Sequence, residues 1–424
     1  MHILDDLAAR HLVADVTDQP GLKALLDQGS VAFYAGYDPT SPSLHVGNLV
    51  PVILQARLQR AGHKPIVVVG GATGMVGDPS GKSVERNLLG DQELAANLAG
   101  IRGQLSRFLD FGAGKTGAVL VNNADWTRGV TYLEFLRDVG KYLTVNYMMA
   151  KDSVRARLEG DTGISYTEFS YMLLQAFDFV HLSRAHGCRL QVGGSDQYGN
   201  ITAGCELSRK MGGPQLFGLT APLILDSTGQ KMGKTSTGER VWLDAGRTSP
   251  YAFYQYFFNV TDEEAPRLLR LFSLRPLAEI DETLRAHDTD RSQRQAQREL
   301  ARTLTTWVHG ADDTARVEKA SEIMFGGSLD GVEQRTLDLL VNVVPVVEID
   351  RAELAAGIAI VDLLSRTVAD SKSAARRLLQ QGGAYVNNVR VSDAERKVTT
   401  ADLATPTMLV VRGGRKDYRL IKLR

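Results

Sequence analysis

The residues from 37 to 48, YDPTSPSLHVGN, carry side chains suited to binding phosphate groups. Proline is tolerated in a helix only in the first turn, so Pro51 predicts that the following helix begins near Gly47 or Asn48. The unpaired N–H groups of a helix N-terminus attract anions, and Gly47 has no side chain to keep a ligand away. His45 and Asn48 can both donate hydrogen bonds to phosphate oxygens. The pattern therefore indicates a nucleotide phosphate site, with a plain surface turn as the alternative.

A second stretch fits the same chemistry. Residues 228–238, TGQKMGKTSTG, place Lys231, Lys234 and Thr235 among small residues, after the strand-like segment PLILD at 222–226. Two lysines on a flexible loop can close on a polyphosphate. A solvated surface loop would have the same composition, so this alternative stays open.

A glycine-rich loop, GGATGMVGDPSGK at 70–82, follows an apolar strand and carries Asp78, Lys82 and, just beyond it, Arg86. Its glycines miss the spacing of a dinucleotide fingerprint. The three Gly-Lys-Ser/Thr tripeptides of the chain also fail as phosphate loops, because none has a glycine five residues before its second glycine. The loop is either part of a site at a strand end or a tight turn with solvated charges.

Short apolar runs alternate with helical patterns through the first half of the chain. The strand candidates are 30–37, 64–71, 117–123 and 188–194. Strand, loop and helix in repetition predict an α/β fold with a doubly wound parallel, Rossmann-like sheet, whose ligands lie beyond the carboxyl ends of the strands. A long helical pattern over 126–185 is predicted as an insertion between the two halves of the sheet.

The rest of the chain divides by pattern into smaller regions. From Thr248 to about Phe325 the pattern is helical throughout, and residues 326–355 lack a clear period. The end of the chain has the pattern of helix, strand, Asn-Asn turn and strand, which is typical of a small α+β module. We therefore predict a catalytic domain at 1–230, the second loop with an all-helical domain at 231–325, a linker at 326–355 and an α+β domain at 356–424.

Composition restricts the class of protein. With 424 residues, 43% hydrophobic and 23% charged, the chain is typical of a multidomain globular protein. Its apolar runs are too short to span a bilayer, its acidic N-terminal segment is unlike a signal peptide, and two cysteines form neither a disulfide framework nor a metal cluster. We expect a cytoplasmic protein with no membrane contact and no protein-bound metal.

Charge is unevenly distributed along the chain, although the net charge is zero. Residues 366–424 hold 13 basic and 5 acidic side chains, whereas the preceding 365 residues hold 36 basic and 44 acidic ones. A basic end on an acidic body is typical of a polyanion-binding domain. The alternative is that these charges only keep the domain soluble.

Together these motifs resemble those of a known enzyme family. HVGN and KMGKT are similar to the paired His-Ile-Gly-His and Lys-Met-Ser-Lys-Ser signatures of class I aminoacyl-tRNA synthetases, and YAGYDPTSPSLHVGN, TEFSYMLLQAFDF and LQVGGSDQYGNITAG resemble bacterial tyrosyl-tRNA synthetases in particular. The resemblance covers essentially the whole chain, and the C-terminal part is similar to an S4 RNA-binding domain. Asn48 replaces the second histidine and keeps a donor amide, while Gly233 and Thr235 replace two serines.

The resemblance implies a reaction in two steps. The carboxylate of L-tyrosine attacks the α-phosphate of ATP–Mg²⁺ and expels pyrophosphate, and the tyrosyl group then passes to the 3′-terminal ribose of tRNA(Tyr). The nucleophile is already ionised, so catalysis consists of positioning and charge stabilisation. The residues implied for this work are the donors and cations Thr40, His45, Asn48, Lys82, Arg86, Lys231, Lys234 and Thr235.

The segment TEFSYMLLQAFDFV is apolar around most of a helix, with Tyr171, Gln175 and Asp178 in one narrow polar stripe. Such a stripe could face solvent, whereas the resemblance implies a wall of the substrate pocket. The implied tyrosine-binding residues are Tyr34 and Asp178 for the phenolic hydroxyl, Tyr171, Gln175 and Asp78 for the α-ammonium group, and Gln197 for the carboxylate.

The resemblance also implies contacts to the other substrates. ATP would meet Gly36, Asp38, His45, Gly47, Asn48, Gly194, Asp196, Lys231 and Lys234. In the basic C-terminal domain we predict phosphate contacts to tRNA from Lys372, Arg376, Arg377, Arg412, Arg415 and Lys416. The insertion contains TYLEFLRDVGKYLTVNYMMAK, which resembles the dimer interface of the family and implies a homodimer, although its apolar residues would equally suit a core.

Two other functions remain open at this level. A tryptophan-specific relative, or another nucleotidyl transferase with a histidine-glycine motif, would share the signatures, but an indole offers no para hydroxyl to Tyr34 and Asp178. An RNA-binding protein that kept the fold and lost catalysis would share the basic domain. The complete set of cations argues against that second alternative.

Overall fold

The computed structural model of the protein describes residues 1–80, 90–160, 163–225, 229, 231–235 and 237–424. The chain forms two compact units, each built from two segments: Met1–Arg247 with Asn259–Leu300, and Thr248–Phe258 with Ala301–Arg424. The helical domain predicted at 231–325 is therefore divided between the units. Part of the reason is Arg10, whose guanidinium donates to the carbonyls of Ser273 at 3.1 Å and Arg275 at 2.8 Å within the first unit.

A six-stranded sheet lies at the centre of the first unit, with the strand order β1-β6-β5-β2-β3-β4. The strands are β1 (Asp15–Val16), β2 (Ala32–Tyr37), β3 (Lys64–Val69), β4 (Val119–Asn122), β5 (Cys188–Gly194) and β6 (Phe217–Ala221). All neighbours are parallel except the short β1, which pairs antiparallel to β6. The predicted doubly wound parallel sheet is confirmed.

The hydrophobic pattern explains why β3 lies inside this sheet. Its sequence KPIVVV is buried at five consecutive positions, as expected for a parallel strand covered on both faces. From β2 the chain adds β3 and β4 on one side, and later adds β5 and β6 on the other side. The sheet therefore changes direction between β2 and β5, and ligands of such sheets bind beyond the strand ends at this switch point.

The helices of the first unit begin and end where local signals predict. They are α1 (Ile3–Ala9), α2 (Gln19–Asp27), α3 (Leu49–Arg60), α4 (Asp91–Leu105), α5 (Ala124–Thr127), α6 (Tyr132–Asp138), α7 (Val145–Met149), α8 (Asp152–Leu158), α9 (Tyr166–His186) and α10 (Tyr198–Lys210). Pro51 lies in the first turn of α3, as predicted. Ser165 and Glu168 form a capping box at the start of α9, and Gly187 ends it with a φ of 63°.

Two strands differ from the prediction. The strand predicted at 222–226 is absent from its described residues, and β6 precedes it at 217–221. The β6 sequence FGLTA contains glycine and has no apolar run, so its strand state depends on pairing with β5 and β1. The two-residue β1 is too short to give any periodic signal.

The helical pattern from Thr248 to Phe325 is confirmed as five helices. They are α11 (Pro250–Phe258), α12 (Glu264–Phe272), α13 (Leu277–Thr289), α14 (Gln295–His309) and α15 (Ala311–Met324). Across the described part of the chain, no helix combines the length and apolar character needed to cross a bilayer.

The second unit ends in a small mixed module. Its helices are α16 (Gln334–Asp338), α17 (Arg351–Ala356), α18 (Ile360–Ser365) and α19 (Lys372–Gln380), and its strands are β7 (Val346–Ile349), β8 (Ile358–Ala359), β9 (Ala384–Val386), β10 (Val389–Arg390), β11 (Lys397–Val398), β12 (Met408–Gly413) and β13 (Asp417–Leu423). Five strands form a sheet in the order β10-β9-β12-β13-β7, and β8 pairs with β11. The Asn-Asn turn between β9 and β10 is confirmed, with φ of 51° and 61° at Asn387 and Asn388.

The linker predicted at 326–355 is wrong over much of its length. It contains α16, and β7 pairs in parallel with β13, so this segment is part of the C-terminal module. The β7 sequence VVEI follows further valines and carries no alternation. Its strand state depends on β13, which lies about 70 residues later in the chain, and a local pattern cannot reveal that partner.

Candidate active site

A cavity of about 430 Å³ opens at the switch point of the first unit. It is lined by the ends of β2 and β5, the start of α3, one face of α9 and the loop around Lys234. The predicted residues along its wall are Tyr34, Gly36, Asp38, Thr40, His45, Gly47, Asn48, Asp78, Tyr171, Gln175, Asp178, Gly194, Asp196, Gln197, Lys231 and Lys234. Thr235 does not line it, and Lys82 and Arg86 lie outside the described residues.

The deep end of the cavity holds a buried carboxylate beside a buried phenol. Asp178 accepts hydrogen bonds from Nδ2 of Asn123 at 2.9 Å and from Nε1 of Trp126 at 2.8 Å. Tyr34 is 1% exposed, and its hydroxyl has no hydrogen-bond partner among the described residues. A buried hydroxyl without a partner costs free energy, so a polar ligand atom beside Tyr34 would stabilise this arrangement.

Burial sets the protonation of these two groups. Desolvation raises the pKa of Asp178 to about 7, although the hydrogen bonds from Asn123 and Trp126 act in the opposite direction. Desolvation, and secondly the charge of Asp178, raises the pKa of Tyr34 well above its ordinary value. Tyr34 therefore remains a hydrogen-bond donor, while Asp178 can accept one more hydrogen bond through its remaining lone pairs.

Amides and a carboxylate form a network in the middle of the cavity. Gln197 donates to Oδ2 of Asp78 at 2.7 Å and accepts from Nε2 of Gln175 at 3.3 Å. Asn200 donates to Asp78 and to Ser80, both at 3.4 Å. Asp78, which is 7% exposed, is thus a buried carboxyl group held by neutral donors. It would attract a cationic group of a ligand.

Two further acidic residues lie on the strand ends. The hydroxyl of Tyr171 donates to Oδ1 of Asp38 at 3.3 Å, and a phenolic oxygen that donates its proton can accept from a cationic ligand group. Asp196 follows β5 and lies 3.5 Å from Nζ of Lys231. Lys231 is half exposed, so this contact contributes little to stability and the ammonium can move to a ligand.

His45 is oriented by the backbone of the turn that precedes α3. Its Nδ1 accepts from the Gly47 N–H at 3.0 Å, and Oδ1 of Asn48 accepts from the His45 N–H at 3.0 Å. A Cβ on Gly47 would lie 2.8 Å from Cε1 of His45. Glycine at position 47 therefore permits the imidazole ring to lie this close to the backbone. With Nδ1 accepting, the proton of the neutral imidazole belongs on Nε2, and the Asn48 amide keeps its NH₂ group as a donor.

The second signature lies against the first. The Val46 N–H donates to the carbonyl of Val241 at 2.9 Å, and the Val241 N–H donates to that of Gly233 at 2.9 Å. Gly233 has a φ of 118°, and a Cβ there would lie 3.2 Å from the Gly47 nitrogen. Both the backbone conformation and the close approach explain why glycine stands here, where the signature that this loop resembles has serine. Thr235 hydrogen-bonds to Thr237 within its own loop, with 2.7 Å between the hydroxyl oxygens.

The predicted RNA-binding residues lie in the second unit. Arg376, Arg377, Arg415 and Lys416 are exposed, on α19 and on the turn between β12 and β13. Lys372 pairs with Asp362 at 2.6 Å. The guanidinium of Arg412 lies 3.8 Å from the ring centre of Tyr385, so this half-buried arginine has a packing role whether or not it meets RNA.

Several residues that line the cavity or hydrogen-bond to its lining were not predicted. Asn123 and Trp126 follow β4 and carry no motif, so only the structure shows that they hold Asp178. Gln191 lies opposite Tyr34 in the sheet, and its buried Oε1 has no partner in the described part of the chain. Asn200 sits three residues after Gln197, and that spacing on one helix face was the available signal. Within the described ranges, no cluster of three His, Cys, Asp or Glu side chains is arranged to hold a metal ion.

Comparisons with known proteins agree with this geometry. The family model described as tRNA synthetases class I (W and Y) matches residues 26–326, and the model of a tyrosine–tRNA ligase SYY-like C-terminal domain matches residues 337–421. The tyrosine–tRNA ligases of Opitutus terrae and Rhodopirellula baltica are 50% and 49% identical, covering 100% and 99% of this chain and 100% and 96% of their own lengths.

A solved structure shares the fold. The C-terminally truncated mitochondrial tyrosyl-tRNA synthetase of Aspergillus nidulans superposes with a TM-score of 0.69 at 31% identity, covering 76% of this chain and 94% of that one. The residues matched by the family model, 26–326, include β2 to β6 and both signatures. The chain therefore belongs to the class I tRNA synthetases of the tryptophan and tyrosine group.

Proposed function

We propose that the protein activates L-tyrosine with ATP and transfers the tyrosyl group to the 3′-terminal ribose of tRNA(Tyr). The observation that carries the choice of amino acid is the pair of Tyr34 and Asp178 at the closed end of the cavity. A phenolic hydroxyl placed between them accepts from Tyr34 and donates to Asp178. Each buried polar group then has a partner, which an indole ring could not provide.

The rest of the amino acid follows from the distribution of charge. Asp78 and the oxygens of Tyr171 and Gln175 would bind the α-ammonium group. Gln197 would orient the carboxylate toward the signatures. The contacts already present within this network support its preorganisation, since the side chains need no reorientation to receive the ligand.

The ATP phosphates are assigned to the two signatures. Nε2 of His45 and the amide of Asn48 donate, while Lys231 and Lys234 supply charge. Gly36, Asp38, Gly194 and Asp196 would form the floor beneath the nucleotide, and Thr40, Lys82, Arg86 and Thr235 complete the proposed set. Mg²⁺ would arrive with ATP, held chiefly by phosphates and water, as this ion usually is in nucleotide sites.

In the first step, a carboxylate oxygen of tyrosine forms a bond to the α-phosphorus, and the bond to pyrophosphate breaks with its electron pair leaving on pyrophosphate. No proton is transferred, so donors and cations suffice. In the second step, a ribose hydroxyl oxygen of tRNA forms an ester bond to the activated carbonyl carbon, and the bond from that carbon to the phosphate oxygen breaks. AMP departs, and the hydroxyl proton passes to the phosphate of AMP or to solvent. The proposed catalytic residues supply charge stabilisation in both steps.

Apolar exposure supports a homodimer through the helical insertion. Large side chains exposed there are Tyr132 (62%), Leu133 (76%), Val145 (58%), Met149 (43%), Leu158 (44%) and Tyr166 (62%). A concentration of exposed apolar side chains in one segment is typical of an interaction site, and a second copy of the chain is the occupant that we propose.

The C-terminal module is proposed to bind tRNA phosphates. Arg376, Arg377, Arg415 and Lys416 supply exposed charge, with Lys372 and Arg412 nearby in the same module. We propose the partition into a catalytic domain, a helical domain and this module as functional regions. Cytoplasmic residence would match the supply of tRNA and ATP, and it agrees with two free cysteines, of which Cys188 is buried.

One assay tests the proposed function. The protein should catalyse exchange between ATP and labelled pyrophosphate when L-tyrosine is added, and it should not do so with L-tryptophan. Exchange with tryptophan would instead favour the tryptophan-specific alternative. A folded protein that binds tRNA and shows no exchange with either amino acid would favour an RNA-binding protein without catalysis.

A further inference from the structure

Arg240 lines the same cavity as the two signature lysines, and the proposed function gives it no role. It forms an antiparallel bridge with Lys234, directly opposite it across the loop. Residues directly opposite in such a pair present their side chains on the same face, with Cβ atoms roughly 5 Å apart. Arg240 therefore adds a second positive charge beside that of Lys234.

This juxtaposition is unfavourable without a ligand. Like charges directly opposite each other destabilise an antiparallel pair. Both side chains are exposed, and in the part of the chain that the structure describes, neither of them forms an ion pair with an acidic residue. An anion between the two side chains would reverse the sign of the interaction.

An indole ring holds Arg240 near His45. Cζ of Arg240 lies 5.8 Å from the centre of the Trp242 ring, within the range of a cation–π interaction. Trp242 forms a backbone bridge with His45, and the two rings meet edge to face with centroids 6.0 Å apart. The position of Arg240 is thus tied to that of the residue assigned to the phosphates.

A second arginine on the same ring has a different role. Cζ of Arg247 lies 4.5 Å from the centre of the Trp242 ring, and its Nη1 donates to Oγ of Ser41 at 2.9 Å. Arg247 is not part of the cavity lining, whereas Arg240 is. Of the two guanidinium groups around Trp242, Arg240 is the one placed to meet a ligand.

We propose that Arg240 binds the β- and γ-phosphates of ATP and then the departing pyrophosphate, with Trp242 as its positioning residue. This inference rests on the proposed placement of the ATP phosphates at the signatures. A guanidinium group presents two parallel N–H donors that match two phosphate oxygens, whereas a lysine ammonium acts as a point charge without this planar geometry. Arg240 moves no proton: it neutralises the charge that pyrophosphate gains when the bond to the α-phosphorus breaks.

The test compares Arg240→Ala and Arg240→Lys with Arg184→Ala, an exposed arginine on α9 away from the cavity. The measurements are the dissociation constant of pyrophosphate for the enzyme–tyrosyl-adenylate complex, and that of a sulfamoyl analogue of tyrosyl-adenylate, which lacks the β- and γ-phosphates. Arg240→Ala should weaken pyrophosphate binding by about 10- to 100-fold, with Arg240→Lys in between. The analogue should bind all variants within about twofold of wild type.

Trp242 supplies a second readout. Trp242→Ala should also weaken pyrophosphate binding, and the double variant with Arg240→Ala should lose less than the product of the single effects, because one residue acts through the other. Full multiplication of the two effects would overturn the positioning role.

Lys234→Ala distinguishes the role of Arg240 from the placement of the ATP phosphates at the signatures. If Lys234→Ala weakens pyrophosphate binding and Arg240→Ala does not, the role of Arg240 is wrong while the phosphate placement stands. If neither variant changes it, the phosphate placement is wrong and the inference fails with it. An equal loss of analogue binding in Arg240→Ala would mean general damage to the cavity and would also overturn the proposal.

Discussion

Nδ2 of Asn123 lies 2.9 Å from Oδ2 of Asp178, and this contact holds a buried carboxylate at the closed end of the cavity. Nε1 of Trp126 holds the other oxygen at 2.8 Å. Both donors come from the segment after β4, whereas Asp178 belongs to α9. The position of this carboxylate therefore depends on two elements that are distant in sequence.

Asp178→Ala should abolish most of the preference for tyrosine over phenylalanine, because the partner of the substrate hydroxyl is removed. Sites that hydrogen-bond a substrate hydroxyl reject the analogue without it by about 10⁴- to 10⁵-fold, and tyrosyl-tRNA synthetases are themselves the standard example, so this magnitude belongs to the family. The measurement is kcat/KM for activation of each amino acid by pyrophosphate exchange.

Asp178→Asn, which keeps the shape of the side chain and an acceptor oxygen, is the matched control. Its preference for tyrosine over phenylalanine should lie between that of wild type and that of Asp178→Ala. Equal discrimination in wild type and Asp178→Ala would contradict the pocket assignment.

The raised pKa of Asp178 predicts a pH-dependent stability. Burial raises the pKa of Asp178 to about 7 in the folded protein, from 3.8 for the ordinary side chain. Between these values the folded state binds more protons than the unfolded state, so the contribution of Asp178 is complete below about pH 4 and is lost as pH rises through 7. The difference in unfolding free energy between wild type and Asp178→Asn should fall over this window by up to about 4 kcal/mol.

Chemical denaturation at several pH values measures this difference. Trp126→Phe provides a second check. Losing a hydrogen-bond donor to the carboxylate should raise the pKa of Asp178 further, so the loss of unfolding free energy should extend to higher pH. A difference that stays constant between pH 4 and 7 and rises with pH only below about 4 would show that the pKa of Asp178 is lowered in the folded protein instead.

The sequence predicts the central part of the fold because that part has local signals. β3 is a continuous apolar run, α9 has a capping box and a terminal glycine, and Pro51 marks the start of α3. β6 and β7 have no such signals, since their partners decide their state.

The residues of the candidate site also fall into two groups, those with a local sequence signal and those placed by tertiary structure. Tyr171, Gln175 and Asp178 are one helical stripe, and they line the cavity as the spacing and the resemblance indicated. Asn123 and Arg240 enter the site through strand pairing and loop geometry, which depend on tertiary structure. No periodicity in the sequence connects either residue to the site.

Leu133→Asp should dissociate the proposed homodimer. Leu133 is 76% exposed in the single chain, so the substitution should leave the fold of each subunit intact, while a twofold interface would bury two unpaired carboxylates. We expect the dimer dissociation constant to increase by at least about 10³-fold, measured by sedimentation equilibrium. Val389→Asp, at a residue 65% exposed in the β9–β10 hairpin, is the control and should remain dimeric. A Leu133→Asp dimer of wild-type affinity would place the interface elsewhere.

Alanine at Arg376, Arg377, Arg415 and Lys416 together should weaken tRNA binding without changing tyrosyl-adenylate formation. The logarithm of the tRNA association constant falls linearly with the logarithm of the salt concentration, and each lost phosphate contact should make this slope shallower by about one unit. The full-length variant is preferable to deleting residues 356–424, because that deletion would leave β7 without β13. An unchanged salt slope would show that these charges only solubilise the module.

His45→Ala tests the first signature. If Nε2 of His45 donates to the ATP phosphates, its contribution should be greatest as pyrophosphate departs, since charge develops there in the transition state. The adenylation rate should fall by roughly 10²-fold or more, with much smaller changes in the dissociation constants of ATP and tyrosine. Asn48→Ala should act in the same direction but less, because an amide N–H is a less polarised hydrogen-bond donor than an imidazole N–H.

Single-turnover kinetics separate binding from chemistry in these variants, and an unfolding curve checks for the lost cap, since Nδ1 of His45 also accepts from the Gly47 N–H. His45→Gln is the informative companion: its amide can still donate to a phosphate, so it should recover part of the rate. A His45→Ala enzyme that is folded and has a normal adenylation rate would leave this histidine as a cap of the turn before α3, with the phosphates held by the lysines alone.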